Sequence, residues 1–286
     1  MYYFIYSFLW LLSLLPLFFL KLLSKVIFFL LYYVIGYRKK VVKSNLKKSF
    51  PNYSDERINL ISRKFYIHLS ELIIEVIKSI SISDKGLEKM ISFKNPKILD
   101  EIFEKHHSIF LIQGHYCNWE ILTILQKHSK YNIYVTYKPL ASKSFDRFLR
   151  KIRCRFGIKL MTSEETPRTI VKNRNKRNLY GLIADQTPLR SESKYWTKFM
   201  NQDALFYLGP EKLSKATGFP VFFLDIKKIA FAKYEIEFIP VELNPKESDE
   251  FSITEGFIDL LEKSIYESPE HYLWSHRRWK HKRTNN

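Results

Sequence analysis

The stretch Ile109-Phe110-Leu111-Ile112-Gln113-Gly114-His115-Tyr116-Cys117-Asn118-Trp119-Glu120 decides the fold. A short apolar run rich in β-branched and aromatic residues reads as a buried strand. Gly114 then permits a sharp turn, and Asn118 is suited to N-cap a following helix. His115 therefore falls on a strand-to-helix loop and Glu120 in the first helical turn. Outward from this stretch the same alternation recurs. Strand-like runs occupy residues 108–113, 132–138, 178–185, 219–227 and 234–242. Helical periodicity occupies 119–128, 144–156, 167–174 and 211–216. Upstream, residues 55–80 carry the apolar stripe Ile58, Ile61, Phe65, Leu69, Leu72, Ile73 and Val76, with Ser54 placed to cap it. His68, Glu71 and Glu75 lie on this helix and read as satisfied or solvated side chains. Strands alternating with helices predict an α/β fold with a central mixed, largely parallel sheet flanked by helices. Ligands of such sheets collect beyond the carboxyl ends of strands, where His115 lies.

The chain has 286 residues, and hydrophobic residues make up 46% of it, which excludes a disordered protein. Its 47 basic against 29 acidic residues give a net charge of +18 and favour an anionic partner. No charged residue occurs over residues 1–20, a length that spans a hydrocarbon core as a helix. A second apolar run, 26–36, comes after Lys21 and Lys25. Arg38, Lys39, Lys40, Lys43, Lys47 and Lys48 come next without an acid among them, which predicts a cytoplasmic location for the remainder of the chain. The expected organisation is a membrane anchor over 1–36 and one catalytic domain over 37–286. A buried hydrophobic helical hairpin is the alternative reading of the leader. Two cysteines, Cys117 and Cys154, build no disulfide framework and fit a reducing compartment. No nucleic-acid motif accompanies the basic charge, so phospholipid is the expected surface and nucleic acid is not.

An imidazole beside a carboxylate suits acyl transfer to an alcohol. A hydroxyl attacks a carbonyl only as a base removes its proton, and imidazole titrates near neutrality. A carboxylate on the other ring nitrogen fixes the tautomer and stabilises the imidazolium. His115 and Glu120 are the expected pair, with no metal in the chemistry. Cys117 lacks a second base and is not expected to act as a nucleophile.

Several segments, taken together, resemble the late lipid A (lauroyl/myristoyl) acyltransferase family within the wider lysophospholipid acyltransferase-like group. Gly114–Glu120 resembles its H-x4-[D/E] block. Arg38-Lys39-Lys40-Val41-Val42-Lys43-Ser44-Asn45-Leu46 with Ser49-Phe50-Pro51 resembles the segment after its anchor. Tyr137-Lys138-Pro139-Leu140, Ala184-Asp185-Gln186 and Pro220-Val221 follow in the family's order, and Leu273-Trp274-Ser275-His276-Arg277-Arg278-Trp279-Lys280 closes the series. After Gln186 the chain departs from the family, with Thr187-Pro188-Leu189-Arg190 and a polar loop over 191–194.

The resemblance implies a glycerolipid acyltransferase-like fold and an O-acyltransferase with His115 and Glu120 as the catalytic pair. Asp185, Gln186, Lys138 and one of Arg153 and Arg155 are then expected at the substrate. Arg155, which leads into Phe156-Gly157, is preferred over Arg153. Further implications are no covalent acyl-enzyme, no cofactor, and an acyl carrier protein or coenzyme A thioester as donor. The acceptor is a lipid A precursor, or else a lysophospholipid, aminolipid or glycolipid hydroxyl. The partners are acyl carrier protein, membrane phospholipids and the lipid acceptor, at the bacterial inner membrane with the catalytic domain on the cytoplasmic side.

Overall fold

A computed structural model describes residues 2–95, 97–188 and 194–283. The departure after Gln186 lies partly outside the described residues, since Leu189, Arg190 and residues 191–193 are not among them. Among the described residues, seven strands form the central sheet in the order β1-β9-β8-β2-β5-β3-β4. They are β1 (Ile91–Phe93), β2 (Ile109–Gln113), β3 (Asn132–Thr136), β4 (Lys159–Met161), β5 (Asn178–Ile183), β8 (Val221–Ala230) and β9 (Lys233–Glu242). Every neighbouring pair is parallel except the β8/β9 hairpin. Strand β2 lies at the centre and all five of its residues are buried. Covering on both faces explains why β2 and β5 read as continuous apolar runs instead of alternating ones. A separate antiparallel pair, β6 (Lys194–Phe199) and β7 (Gln202–Tyr207), was not apparent from sequence.

The stripe over 55–80 forms the 24-residue helix α4 (Asp55–Lys78), capped by the Ser54 hydroxyl, which accepts from the Arg57 amide. The expected helix over 119–128 is instead two 3-10 segments, Trp119–Thr123 and Leu125–Lys127. Asn118 does cap the first of them, its side chain accepting from the Glu120 amide.

The charge-free leader does not form one spanning helix. Pro16 ends α1 (Tyr2–Leu14), because it lacks a donor and its ring excludes a continuous helix. Lys78 and Ser81 of the α4 end take up the carbonyls left at this break, with Lys78 Nζ 2.9 and 3.0 Å from Ser13 O and Leu15 O. The stretch long and apolar enough to cross a membrane begins afterwards. Helix α2 (Leu17–Phe29) continues as a π-helical turn, Leu30–Val34, and together they have a mean hydropathy of 2.0. Only 11% of this span is buried, unlike the core helix of a soluble domain.

Candidate active site

Strands β2 and β5 are parallel neighbours in register Gln113 to Ile183. His115 and Asp185 each stand two residues beyond that pair, so the sheet itself brings them together from 70 residues apart. Ala184 N donates to Gln113 O at 3.0 Å and closes the register at this end. His115 Nδ1 lies 2.6 Å from Asp185 Oδ1, and its Nε2 lies 3.1 Å from the Gln186 amide nitrogen. With Nδ1–H donated to the carboxylate, Nε2 carries the lone pair and accepts from Gln186. Burial alone would raise the Asp185 carboxyl, but the imidazole and the nearby Arg278 outweigh it and hold the group below its usual value.

The carboxylate on His115 is therefore Asp185, where the sequence reading expected Glu120. Glu120 points to a different cation. Arg153 Nε and Nη2 grip its two oxygens at 2.9 and 2.5 Å, a fork-on-fork pair on the wall of the same cleft. Burial works against the Arg153 charge, and Glu120 more than restores it. The preference for Arg155 does not survive the geometry. Its guanidinium bonds Ser79 O and Ile82 O at 2.6 and 2.7 Å, closing the end of α4 away from the cleft. Arg153 is the last residue of the helix Lys143–Arg153 and Arg155 lies in the 3-10 turn after it, Cys154–Phe156, and their guanidinium groups go to different partners.

The cleft holds about 500 Å³ and is bordered by His115, Trp119, Glu120, Lys138, Arg153 and Gln186. Leu122, Val135, Leu149 and Leu160 give it an apolar part. Lys138 borders the same cleft as His115, Gln186 and Arg153.

What holds His115 comes from segments whose role the sequence did not disclose. A Cβ on Gly114 would come within 2.7 Å of the buried Leu261 of α10 (Ser252–Glu267), so close packing, more than turn geometry, requires glycine there. Cys117 takes the left-handed conformation, φ +54°, and its carbonyl accepts from His68 Nε2 at 3.2 Å. His68 is neutral, its pKa pushed well down first by burial and then by Lys228, which donates to Nδ1 at 3.2 Å and pairs with Glu71 at 2.6 Å. Glu75 accepts from Asn118 Nδ2, Tyr234 OH and Ala232 N. His68, Glu71 and Glu75 are thus satisfied side chains, as read, and they fix the loop from below. Burial pushes the Cys117 thiol far up, away from the thiolate form.

The closing segment, residues 273–280, is held partly inside the protein. Trp274 and Arg278 are buried, the Arg278 guanidinium standing 4.2 Å over the Phe206 ring. Asn45 Nδ2 bonds Trp274 O and His276 O at 2.8 and 2.9 Å, and Arg38 bonds Ser275 O. Tyr272 in turn bridges Tyr116, and Leu273 N donates to His115 O at 3.0 Å. Arg38 and Asn45, read as part of a basic collar and an anchor-following motif, therefore pin the tail that backs the His115 loop.

Two predictions arise here. Arg153→Ala, which removes a cation from the wall of the cleft, is expected to cut turnover about 10²-fold or more, the loss typical of a removed transition-state donor. Arg155→Ala should instead lower the melting temperature by a few degrees with turnover retained, and equal turnover losses would contradict the assignment. The second concerns pH. His68 is depressed by burial, and burial depresses His271 and His276 to about 4 each. Their folded values lie below the unfolded 6.5, so their contribution is complete above 6.5 and lost as pH falls toward about 4. Each proton taken up on unfolding steepens the loss by about 1.4 kcal/mol per pH unit. Melting temperature should fall steeply between pH 6.5 and 4, and a flat profile there would show these rings to be accessible to solvent.

Residues 1–281 match the family of bacterial lipid A biosynthesis acyltransferases. The lipid A biosynthesis palmitoleoyltransferase of Escherichia coli (strain K12) is 23% identical over 249 residues, 85% of this chain and 79% of that protein. The lipid A biosynthesis acyltransferase of Shigella flexneri shares the same identity and coverage. Among solved structures, the 1-acyl-sn-glycerophosphate acyltransferase of Thermotoga maritima gives a loose likeness, with a TM-score of 0.39 at 12% identity, covering 87% of this chain and 95% of that one. The match over nearly its full length makes this chain a member of the bacterial lipid A biosynthesis acyltransferase family.

Proposed function

We propose that the protein transfers a fatty acyl chain from a thioester to a hydroxyl of a lipid A precursor, with His115 as general base. The observation that carries this reading is the Asp185–His115 pair, whose imidazole borders a cleft with apolar residues in its walls. The acceptor hydroxyl replaces the Gln186 amide at His115 Nε2 and gives up its proton there as its oxygen bonds to the thioester carbonyl carbon. Asp185 holds the ring and balances the imidazolium. Arg153, oriented by Glu120, stabilises the oxyanion of the tetrahedral intermediate. Collapse breaks the C–S bond, and the imidazolium returns the proton to the departing sulfur, leaving an ester and a free thiol. Glu120 then acts through Arg153 and not on the imidazole. Leu122, Val135, Leu149 and Leu160 offer an apolar bed for the acyl chain.

The apolar span Leu17–Val34 seats the enzyme in the bacterial inner membrane, and the basic residues from Arg38 onward favour the cytoplasmic side for the catalytic domain. An acidic acyl carrier protein suits a chain of net charge +18 as donor. The test is a reconstituted assay with purified protein, acyl carrier protein or coenzyme A thioesters, and an underacylated glucosamine disaccharide acceptor. Formation of a product heavier by one acyl chain supports the reading. Turnover only with a lysophospholipid or aminolipid would refute it.

A further inference from the structure

A second hollow, of about 430 Å³, adjoins the catalytic cleft and shares Pro139, Leu140 and Ala141 with it. Its remaining walls are Lys143, Asp146, Arg147 and Arg150, all from α7 (Lys143–Arg153). Lys143 and Arg147 are four residues apart and Arg147 and Arg150 three, so the three cations share one helix face. Like charges so placed repel one another. Asp146 is committed to the adjoining loop, its Oδ1 accepting from the Leu140 amide at 2.9 Å. Among the described residues neither Lys143 nor Arg150 is ion-paired to a carboxylate. Arg150 stands 5.4 Å over the Tyr137 ring at the strand end that leads to Lys138, so this charge borders the route into the cleft. Arg147 stands 5.7 Å over the Tyr3 ring of α1, which places the hollow beside the apolar leader.

We propose that Lys143, Arg147 and Arg150 form a phosphate-binding shelf that orients a phosphorylated substrate for transfer at His115. The proposal rests on the acyl-transfer reading above, because it needs a substrate that reaches both the shelf and the cleft. Hydrogen bonds between guanidinium groups and phosphate are charge-assisted and bidentate, which suits recognition at the end of a lipid whose chains give no direction. The phosphate can belong to the glucosamine lipid acceptor or to the phosphopantetheine arm of the donor, and the chemistry is the same.

The test compares the detergent-solubilised full chain with R147Q/R150Q, and with K151Q as a variant of the same helix outside the hollow. Four probes are used: the phosphorylated glucosamine lipid, its phosphatase-treated counterpart, and an acyl-thioester donor with and without its pantetheine phosphate. Binding is read by native mass spectrometry and, separately, KM and kcat are read by product formation. The wild-type chain and K151Q should prefer one phosphorylated probe over its phosphate-free partner by about tenfold or more, as lost charged hydrogen bonds imply. R147Q/R150Q should lose that preference in binding and in KM, with kcat less affected. Preference for the phosphorylated acceptor identifies the acceptor phosphate as the ligand, and preference for the phosphorylated donor identifies the donor arm. No preference in the wild-type chain, a preference that survives in R147Q/R150Q, or an equal loss in K151Q would overturn the shelf. Absence of turnover with every acceptor would instead overturn the acyl-transfer reading, and the binding ratios would still judge the shelf.

Discussion

His115→Ala is expected to lower acyl transfer by at least about 10²-fold, and as far as about 10⁴-fold, without unfolding the protein. In the reaction proposed above the imidazole accepts the hydroxyl proton, and the loop that carries it is fixed by backbone bonds to the tail and by the His68 and Glu75 networks. Removing the ring leaves those supports in place. Circular dichroism should therefore match the wild type while product formation collapses. A folded variant that keeps more than about a tenth of wild-type turnover would show that His115 is not the base.

Asp185→Asn is expected to have a loss of similar size, on the order of 10³–10⁴-fold. The buried carboxylate accepts Nδ1–H at 2.6 Å, so the proton-accepting nitrogen faces the cleft. An amide of the same shape offers a donor as readily as an acceptor, and the ring can then turn its N–H toward the substrate. Turnover should fall with KM little changed, since Asp185 is buried and is not among the residues that border the cleft. Its lowered folded pKa adds a signature of stability. Its stabilising contribution is complete above the unfolded value near 3.8 and is lost as pH falls through the lower folded value. Asp185→Asn should thus remove stability at neutral pH and flatten the acid limb. If Glu120→Gln changed the pH–rate profile and Asp185→Asn did not, the imidazole would have the partner expected from sequence and not the one seen here.

The sheet was largely legible because its strands advertise themselves. Residues 109–113, 132–136 and 178–183 are apolar runs that need both faces covered, and the parallel order follows from the helices between them. Strands β1 and β4 escaped notice because three residues carry no periodicity. The segment after Asn118 carries helical spacing but tightens to 3-10 geometry, since the loop before it is held by tertiary bonds from α4 and the tail. The site was half legible. His115 is betrayed by its place after a buried strand. Its partner is not, because only the β2–β5 register converts Asp185, 70 residues away, into a neighbour. Glu120, five residues away, was the nearer guess in sequence and the wrong one in space for the Nδ1 bond. The choice between Arg153 and Arg155 depends on which way α7 faces, and that is set by its packing against α1 and α4. The place of the tail was not legible either, since nothing in residues 273–280 announces that Asn45 and Arg38, 229 and 237 residues earlier, hold its carbonyls inside.

The fate of one lipid in the cell tests the acceptor and the base together. Mass spectrometry of lipid A from a strain lacking this gene should show a species lighter by one acyl chain, restored by the wild-type chain and not by His115→Ala. Unchanged lipid A in that strain, with an aminolipid or phospholipid short of one chain, would contradict the proposed acceptor.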